Sequence, residues 1–262
     1  MTIIEMCEHQ DLLEKQKFVI ADPEKYTVAR LDGRSFTRLS KQLTRPFDEH
    51  FSDAMKAAAI VLLEDFHPML VYVSSDEITV VFDKQFNLFG GRSDKLVSVL
   101  AGKASSAFSI SLHEFYPAIV HDVLSSFDCR IWQVDTGIEW MENLIVRQHG
   151  SIKNSVSMLA YAHLPKKSLV GVSHQDRRSR LIDIGVNWQD EKPHDKWGTF
   201  IFKKQQVVAM TDDIRSKIPE GKVVPDTIIR SVVVEYNEAP ISTNPITFIK
   251  TFYEMVSSSD PQ

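Results

Sequence analysis

The chain has 262 residues, 43% of them hydrophobic, so it can bury a sizeable core and does not need disulfides or metals as staples. Thirty basic residues against 35 acidic ones give a formal charge of −5, which excludes global basicity as a source of nucleic-acid affinity; any such binding must come from local patches. The two cysteines, Cys7 and Cys129, form no CxxC pair, which excludes a disulfide framework and favours a reducing compartment, and the charge-interrupted N-terminus reads as neither a secretion signal nor a membrane span; the expected location is the cytoplasm.

In chain order, residues 5–17 predict a leading helix, with leucines at 12 and 13 among charges. Tyr26–Leu31 is an apolar run that reads as a buried strand ending in Asp32-Gly33-Arg34, where glycine lets the backbone turn or approach a ligand. After Pro46, residues Phe51, Met55, Ala58 and Leu62 recur at helical spacing, Asp48 and Glu49 put negative charge at the helix start, and His67-Pro68 marks its end. Met69–Val73 and Ile78–Phe82 are two β-rich runs joined by Ser74-Ser75-Asp76-Glu77, a hairpin whose joining residues lack glycine. Gly90-Gly91 breaks the chain, Arg92 to about Ile110 is helical in pattern, and Phe127–Val134 reads as a strand.

The order strand, helix, two-strand hairpin, helix, strand is the split β-α-β-β-α-β arrangement: an α+β fold with an antiparallel sheet backed by two helices. Beyond it, 138–163 reads as helix with a break at Gly150, and 173–184 as a shorter helix capped by Ser173. Residues 187–197 read as a loop, followed by apolar runs at Thr199–Phe202 and Ile228–Glu235. The expected organisation is a core over 1–135, a C-terminal extension of helices and strands over 136–256 packed on it, and a disordered tail at 257–262.

Asp32 ends the first strand and Asp76 sits at the hairpin. In this arrangement the first and third strands are neighbours, so the two acids can converge at one sheet edge. Paired carboxylates repel unless a cation neutralises them, and Mg²⁺ takes oxygen ligands while keeping positions for water and phosphate. Two such ions roughly 3.5–4 Å apart activate an attacking oxygen and stabilise a leaving pyrophosphate, with the Gly33 carbonyl as a further ligand. On spacing alone the plain alternative stays open: Asp32 begins a turn and Asp76 tips a hairpin. Arg92 and Lys95, three apart on one helix, can meet phosphates beside Ser75, or be a solvated face. The clusters Arg34, Arg38, Lys41 and Arg45, and Lys166, Lys167, Arg177, Arg178 and Arg180, carry the same two readings.

The blocks ARLDGRSFTRLSK (29–41), LTRPFD (43–48), YVSSDEITVVF (72–82), RSDKLVSVLAGKASSAF (92–108), FDCRIW (127–132) and RQHGSIKNS (147–155) resemble, in order, those of the tRNA-His guanylyltransferase family and its like-proteins, the 3′-to-5′ nucleotide-adding polymerases. The resemblance implies a polymerase- or cyclase-like palm. It implies two Mg²⁺ ions held by Asp32, Asp76 and the Gly33 carbonyl, and nucleotide or triphosphate contacts from Gly33, Arg34, Ser35, Phe36, Ser75, Glu77, Arg92 and Lys95. Arg45 falls where the family places a residue of the 5′-activation step, and Arg130, Lys153 and Asn154 at positions of nucleotide or tRNA handling. The implied substrates are tRNA with ATP, GTP or other nucleoside triphosphates, and the implied assembly is a homotetramer.

Two departures refine that expectation. Thr37 replaces the histidine that follows the family's DGR motif, and the HINN block of dedicated tRNA-His enzymes corresponds to Ile152-Lys153-Asn154-Ser155. The first removes any role of that imidazole, and the second favours the like-protein branch, which repairs 5′-truncated tRNA by template-directed addition, over a tRNA-His-specific guanylyltransferase. A nucleotidyl cyclase would also use two palm aspartates, but the hairpin reads SSDE and not GGDEF. A non-catalytic RNA-binding module gains little from acids set against phosphate.

Overall fold

Thr2 caps the first helix, α1 (Ile3–Leu13): its hydroxyl accepts from the Glu5 amide while the Glu5 carboxylate accepts from the Thr2 amide. This reciprocal cap starts the helix two residues earlier than the charge pattern suggests, and α1 also ends earlier than expected, at Leu13. The computed structural model describes residues 2–211, 215–216, 218–219, 226–238 and 252. The expected disordered tail at 257–262 lies outside the described residues.

Strand β1 (Tyr26–Arg34) leads through a short helix α2 (Phe36–Leu39) to α3 (Glu49–Phe66). The Asp48 carboxylate caps α3 by accepting from the Phe51 amide, and it also accepts from the Thr44 amide, both at 2.9 Å. The helix ends where His67 takes a left-handed conformation before Pro68. The hairpin β2 (Leu70–Ser74) and β3 (Glu77–Phe82) follows, then α4 (Ser93–Phe115), α5 (Pro117–Asp122) and β4 (Ser126–Val134). Helices α6 (Gly137–His163), α7 (His174–Asp183) and α8 (Pro193–Trp197) precede β5 (Thr199–Ala209) and β6 (Thr227–Tyr236).

The sheet runs β4-β1-β3-β2-β5-β6, with every pairing antiparallel. Its first four strands, with α3 and α4, form the split β-α-β-β-α-β core, and β5 and β6 extend the same sheet. Alternation along β1 sorts its side chains. Ala29 and Leu31 join the core formed with α3 and α4, which includes Met55, Leu62, Leu100 and Phe108. Val28 joins the opposite core with Trp140 and Leu144 of α6 and Phe200 and Phe202 of β5. Both faces of the sheet are therefore covered, and a third cluster ties α6 to α7 through Leu159, Leu181 and Trp188.

Four local expectations are corrected. Strand β1 continues through Gly33 and Arg34, because β4 supplies partners at Phe127 and Ser126. Helix α6 runs unbroken through Gly150, since thirteen buried residues anchor it and outweigh the roughly 1 kcal/mol helix penalty of one glycine. Residues 187–197 are not a plain loop; a 3₁₀ turn at Trp188–Asp190 and α8 occupy them. Strand β5 extends seven residues past the expected Phe202, because β6 pairs with it out to Ala209.

Candidate active site

Gly33 is required by contact: a Cβ built there would overlap the Phe36 ring. Phe36 itself is buried, stacked on Phe108 at 4.9 Å between ring centroids and set edge-on to Phe51 and Phe127. The chain leaves β1 through Ser35, whose left-handed backbone (φ 66°) turns it into α2. Between β2 and β3, Ser75 supplies the positive φ (53°) that glycine would otherwise give to so tight a turn. The Gly33 amide donates to the Asp76 carbonyl at 2.9 Å, joining the end of β1 to the hairpin tip.

This brings Asp32, Gly33, Ser75 and Asp76 to one corner of the sheet. Asp32 is flanked in register by Glu77 on β3 and by Asp128 on β4, three acids in a row across adjacent strands. Like charges directly opposite each other destabilise a sheet. Burial pushes the Asp76 carboxyl above its ordinary value, and the charge of Asp32 pushes it the same way. Among the described residues, none of Asp32, Asp76 and Asp128 is ion-paired to a basic side chain.

Glu77 differs. It is held by Arg147 of α6 at 3.2 Å and by Arg30 at 3.7 Å, and Arg30 is in turn bound at 2.8 Å to Glu14, the cap residue that follows α1. Burial still raises the Glu77 carboxyl, against the lowering by both arginines. Glu77 thus has its cations, while its neighbours Asp32 and Asp76 have none among the described residues. Two such carboxylates with the Gly33 carbonyl are an oxygen donor set that suits Mg²⁺ once phosphate and water complete it. Among the described residues no group of three or more His, Cys, Asp or Glu side chains is arranged to hold a metal unaided.

Next to Asp76 opens a cavity of about 290 Å³. Ser75 and Asp76 form one wall, Phe36 and the Thr44–Pro46 segment a second, and Met158 and Tyr161 of α6 a third. Arg45, joined to Pro46 by a cis peptide, lies at this cavity. A smaller recess of about 60 Å³ shares Ser75, Asp48 and Met158 with it and runs inward to His194 and Asp195. Burial pulls the His194 imidazole down to about 4 and pushes the Asp195 carboxyl up to about 6.

The remaining expected residues lie elsewhere. Arg34 is exposed at the end of β1. Arg92 is the cap residue before α4, not part of it, and its guanidinium is engaged by Asp94 at 2.7 Å. Neither Arg92 nor Lys95 lines the cavity at Asp76. Arg130 lines a second, more open cavity of about 500 Å³ with Asp94, Lys15 and Lys17. Lys153 and Asn154 are exposed on α6, with Asn154 one turn before the cavity-lining Met158. Sequence reasoning missed Asp128, Arg147, Met158 and Tyr161. Asp128 and Arg147 stood inside the FDCRIW and RQHGSIKNS blocks, whereas nothing in the spacing ties Met158 or Tyr161 to Asp76, more than 80 positions earlier.

A family model described as "Thg1: tRNAHis guanylyltransferase" matches residues 9–135. A tRNA(His) guanylyltransferase of Debaryomyces hansenii is 25% identical over 226 residues, covering 80% of this chain and 84% of its own length. A bacterial tRNA(His) guanylyltransferase (Thg1)-like protein, solved in complex with ATP, superposes with a TM-score of 0.71 at 24% identity, covering 95% of this chain and 97% of that one. Such a protein in complex with GTP superposes at 0.64 and 22% identity, with the same coverage. At these identities the structures establish the fold.

Proposed function

We propose that this nucleotidyltransferase is a member of the tRNA-His guanylyltransferase family and adds nucleotides to the 5′ end of tRNA in the 3′-to-5′ direction, guided by the opposite strand. The single observation that carries the reading is the corner at Asp32 and Asp76. There, two carboxylates that no cation pairs among the described residues sit together, and the second of them, Asp76, lines a cavity near the roughly 300 Å³ at which ligand sites begin.

The substrates we assign are tRNA, ATP for activation, and GTP or another nucleoside triphosphate for addition. When bound, two Mg²⁺ ions held by Asp32, Asp76 and the Gly33 carbonyl would polarise the phosphoryl group and neutralise the departing pyrophosphate. In activation, a 5′-phosphate oxygen forms a bond to the α-phosphorus of ATP as the α–β bond breaks and pyrophosphate leaves. In addition, the 3′-hydroxyl of the incoming nucleotide attacks the activated 5′-phosphorus, AMP leaves, and the hydroxyl proton passes to solvent.

The side chains supply position and charge for both steps. Phe36, locked by its aromatic neighbours, and Tyr161 wall the cavity for the nucleoside. Ser75 presents its hydroxyl and amide beside Asp76, and Arg45 brings a fixed positive charge to the transferring phosphate. No covalent nucleophile is needed. The Arg30 and Arg147 clamp on Glu77 holds the hairpin that carries Asp76.

Template reading is favoured over guanosine addition to tRNA-His alone because Ile152-Lys153-Asn154-Ser155 keeps one asparagine of the HINN block while the Asp32 and Asp76 corner is complete. The same reading carries a homotetramer in the cytoplasm, checked by light scattering and cell fractionation. The deciding assay gives the enzyme tRNAs lacking the first 5′ residue, with the opposite acceptor base set to each of the four identities. Addition that follows the template base is expected; guanosine addition to tRNA-His whatever the template would reverse it.

A further inference from the structure

On this net-acidic chain, positive charge gathers on one face built from α6, the turn before α7, and α7. Lys153, Lys166, Lys167, Arg177, Arg178 and Arg180 stand there against two carboxylates of α7, Asp176 and Asp183, and Asp176 is already engaged by the Ser173 hydroxyl. Among the described residues none of these six cations forms a salt bridge. Their mutual field is felt nearby: after burial, Arg177, Lys153 and Arg178 each pull the His174 imidazole below its ordinary value.

Two arginines are held in place on aromatic rings. The Arg177 guanidinium lies 5.3 Å from the Tyr161 ring centre, and donates to the Ser157 hydroxyl at 2.8 Å and the Leu169 carbonyl at 3.2 Å. The Arg178 guanidinium stacks 3.9 Å from the Trp188 ring centre. Arg178 is half-buried, burial lowers its affinity for its proton, and among the described residues it has no hydrogen-bond acceptor and no carboxylate. A planar cation presented on an indole with its donors free is built to meet an anion from outside.

The face is continuous with the cavity. Tyr161, on which Arg177 lies, is itself a wall of that cavity beside Asp76. We propose that the α6–α7 face is an RNA-docking surface, whose cations track the phosphodiester backbone of the substrate and deliver its 5′ end past Tyr161 to Asp76. The surface is sequence-independent, since it offers point charges and stacked guanidiniums toward phosphate. It rests on the reading of tRNA as substrate, and its occupant is identified by regular anionic charge. An acidic protein segment is the competing occupant.

The test uses the full chain and two exposed lysines that pack nothing, in K166A/K167A, together with R178M, which keeps an apolar side chain on Trp188. Binding of a 5′-monophosphorylated tRNA transcript is measured across a salt series, with ATP affinity and nucleotide addition measured separately. Each lost phosphate contact lowers the slope of log K against log salt by roughly 0.7–0.9. The combined variant is expected to lower that slope by about two and to weaken tRNA binding at least tenfold, with ATP affinity unchanged. Wild-type tRNA affinity and slope in the combined variant would overturn the proposal, as would polyglutamate displacing tRNA from the wild type at equal charge concentration. Failure of the wild type to add nucleotides while the variants lose tRNA would instead sink the proposed activity and leave the surface standing.

Discussion

Gly33 and Asp76 are tied by one backbone hydrogen bond of 2.9 Å, and that bond sets the carboxylate of Asp32, one residue before the glycine, beside the hairpin acid. The juxtaposition costs stability, because Asp76 is desolvated and faces a like charge. A pair of carboxylates that is electrostatically uncomfortable without a cation is a specific expectation with measurable consequences.

The first concerns charge. The folded state raises the Asp76 carboxyl, so its contribution to stability is full below the ordinary carboxylate range and is lost as pH rises through the raised folded value. Asp76→Asn should therefore melt higher than wild type near pH 7.5 without divalent ions, and the difference should close near pH 3. Mg²⁺ should raise the wild-type Tm and leave that of the variant nearly unmoved. Calorimetry with and without EDTA checks this; a variant that melts lower at pH 7.5 contradicts it.

The second concerns space. Gly33→Ala forces a methyl into the Phe36 ring, which Phe51, Phe108 and Phe127 hold from other sides. Overpacking of this kind costs about 1–3 kcal/mol. Urea unfolding should show that loss, and Gly33→Ala/Phe36→Leu should recover part of it, because leucine leaves room for the methyl. No recovery in the double variant would mean that the glycine serves another purpose.

The third concerns the clamp. Removing Arg147 leaves Glu77 with only Arg30, and Glu77 and Arg147 are each about a fifth exposed, at 21% and 22%. The loss for Arg147→Met should therefore fall below the 3–5 kcal/mol of fully buried pairs, at about 2 kcal/mol. In a double-mutant cycle with Glu77→Gln the two changes should be coupled by about 1 kcal/mol or more. Simple additivity would show that Arg147 does not act through Glu77.

Much of this was legible before the structure. The strand-helix-hairpin-helix-strand order followed from local patterning, since the apolar run of β1 and the helical spacing along α3 are properties of local sequence. Convergence of Asp32 and Asp76 followed from topology, because that order makes β1 and β3 neighbours. The continuity of α6 through Gly150 was not legible, because it depends on burial against α1, β1 and β2, elements far away in sequence. Met158 and Tyr161 as cavity walls were missed for the same reason. Arg92 illustrates the opposite limit: spacing put it on a phosphate-facing helix, whereas its guanidinium is taken by Asp94 two residues on.

The fourth prediction concerns the inner recess. Asp195 is pushed up to about 6 from 3.8, by burial first, and Asn has no charge to bury. Wild type should thus lose stability relative to Asp195→Asn as pH rises from about 4 through 6, and the gap should be constant above pH 7. Denaturant titrations at pH 3.5, 5 and 7.5 read the gap directly. A gap that shrinks with rising pH would show that the Asp195 carboxylate is stabilised in the fold and not strained by it.

The most direct measurement of the central claim is the product of one incubation: 5′-truncated tRNA, ATP, Mg²⁺ and nucleoside triphosphates with wild type, Asp32→Ala or Asp76→Ala, resolved by mass and by labelled 5′ and 3′ ends. In the proposed mechanism Asp32 and Asp76 form the oxygen set on which both transfer steps depend. Wild type should lengthen the RNA at its 5′ end alone, and either variant should lose at least a hundredfold in rate while remaining folded. Near-wild-type addition by Asp32→Ala, or growth at the 3′ end, would contradict the account.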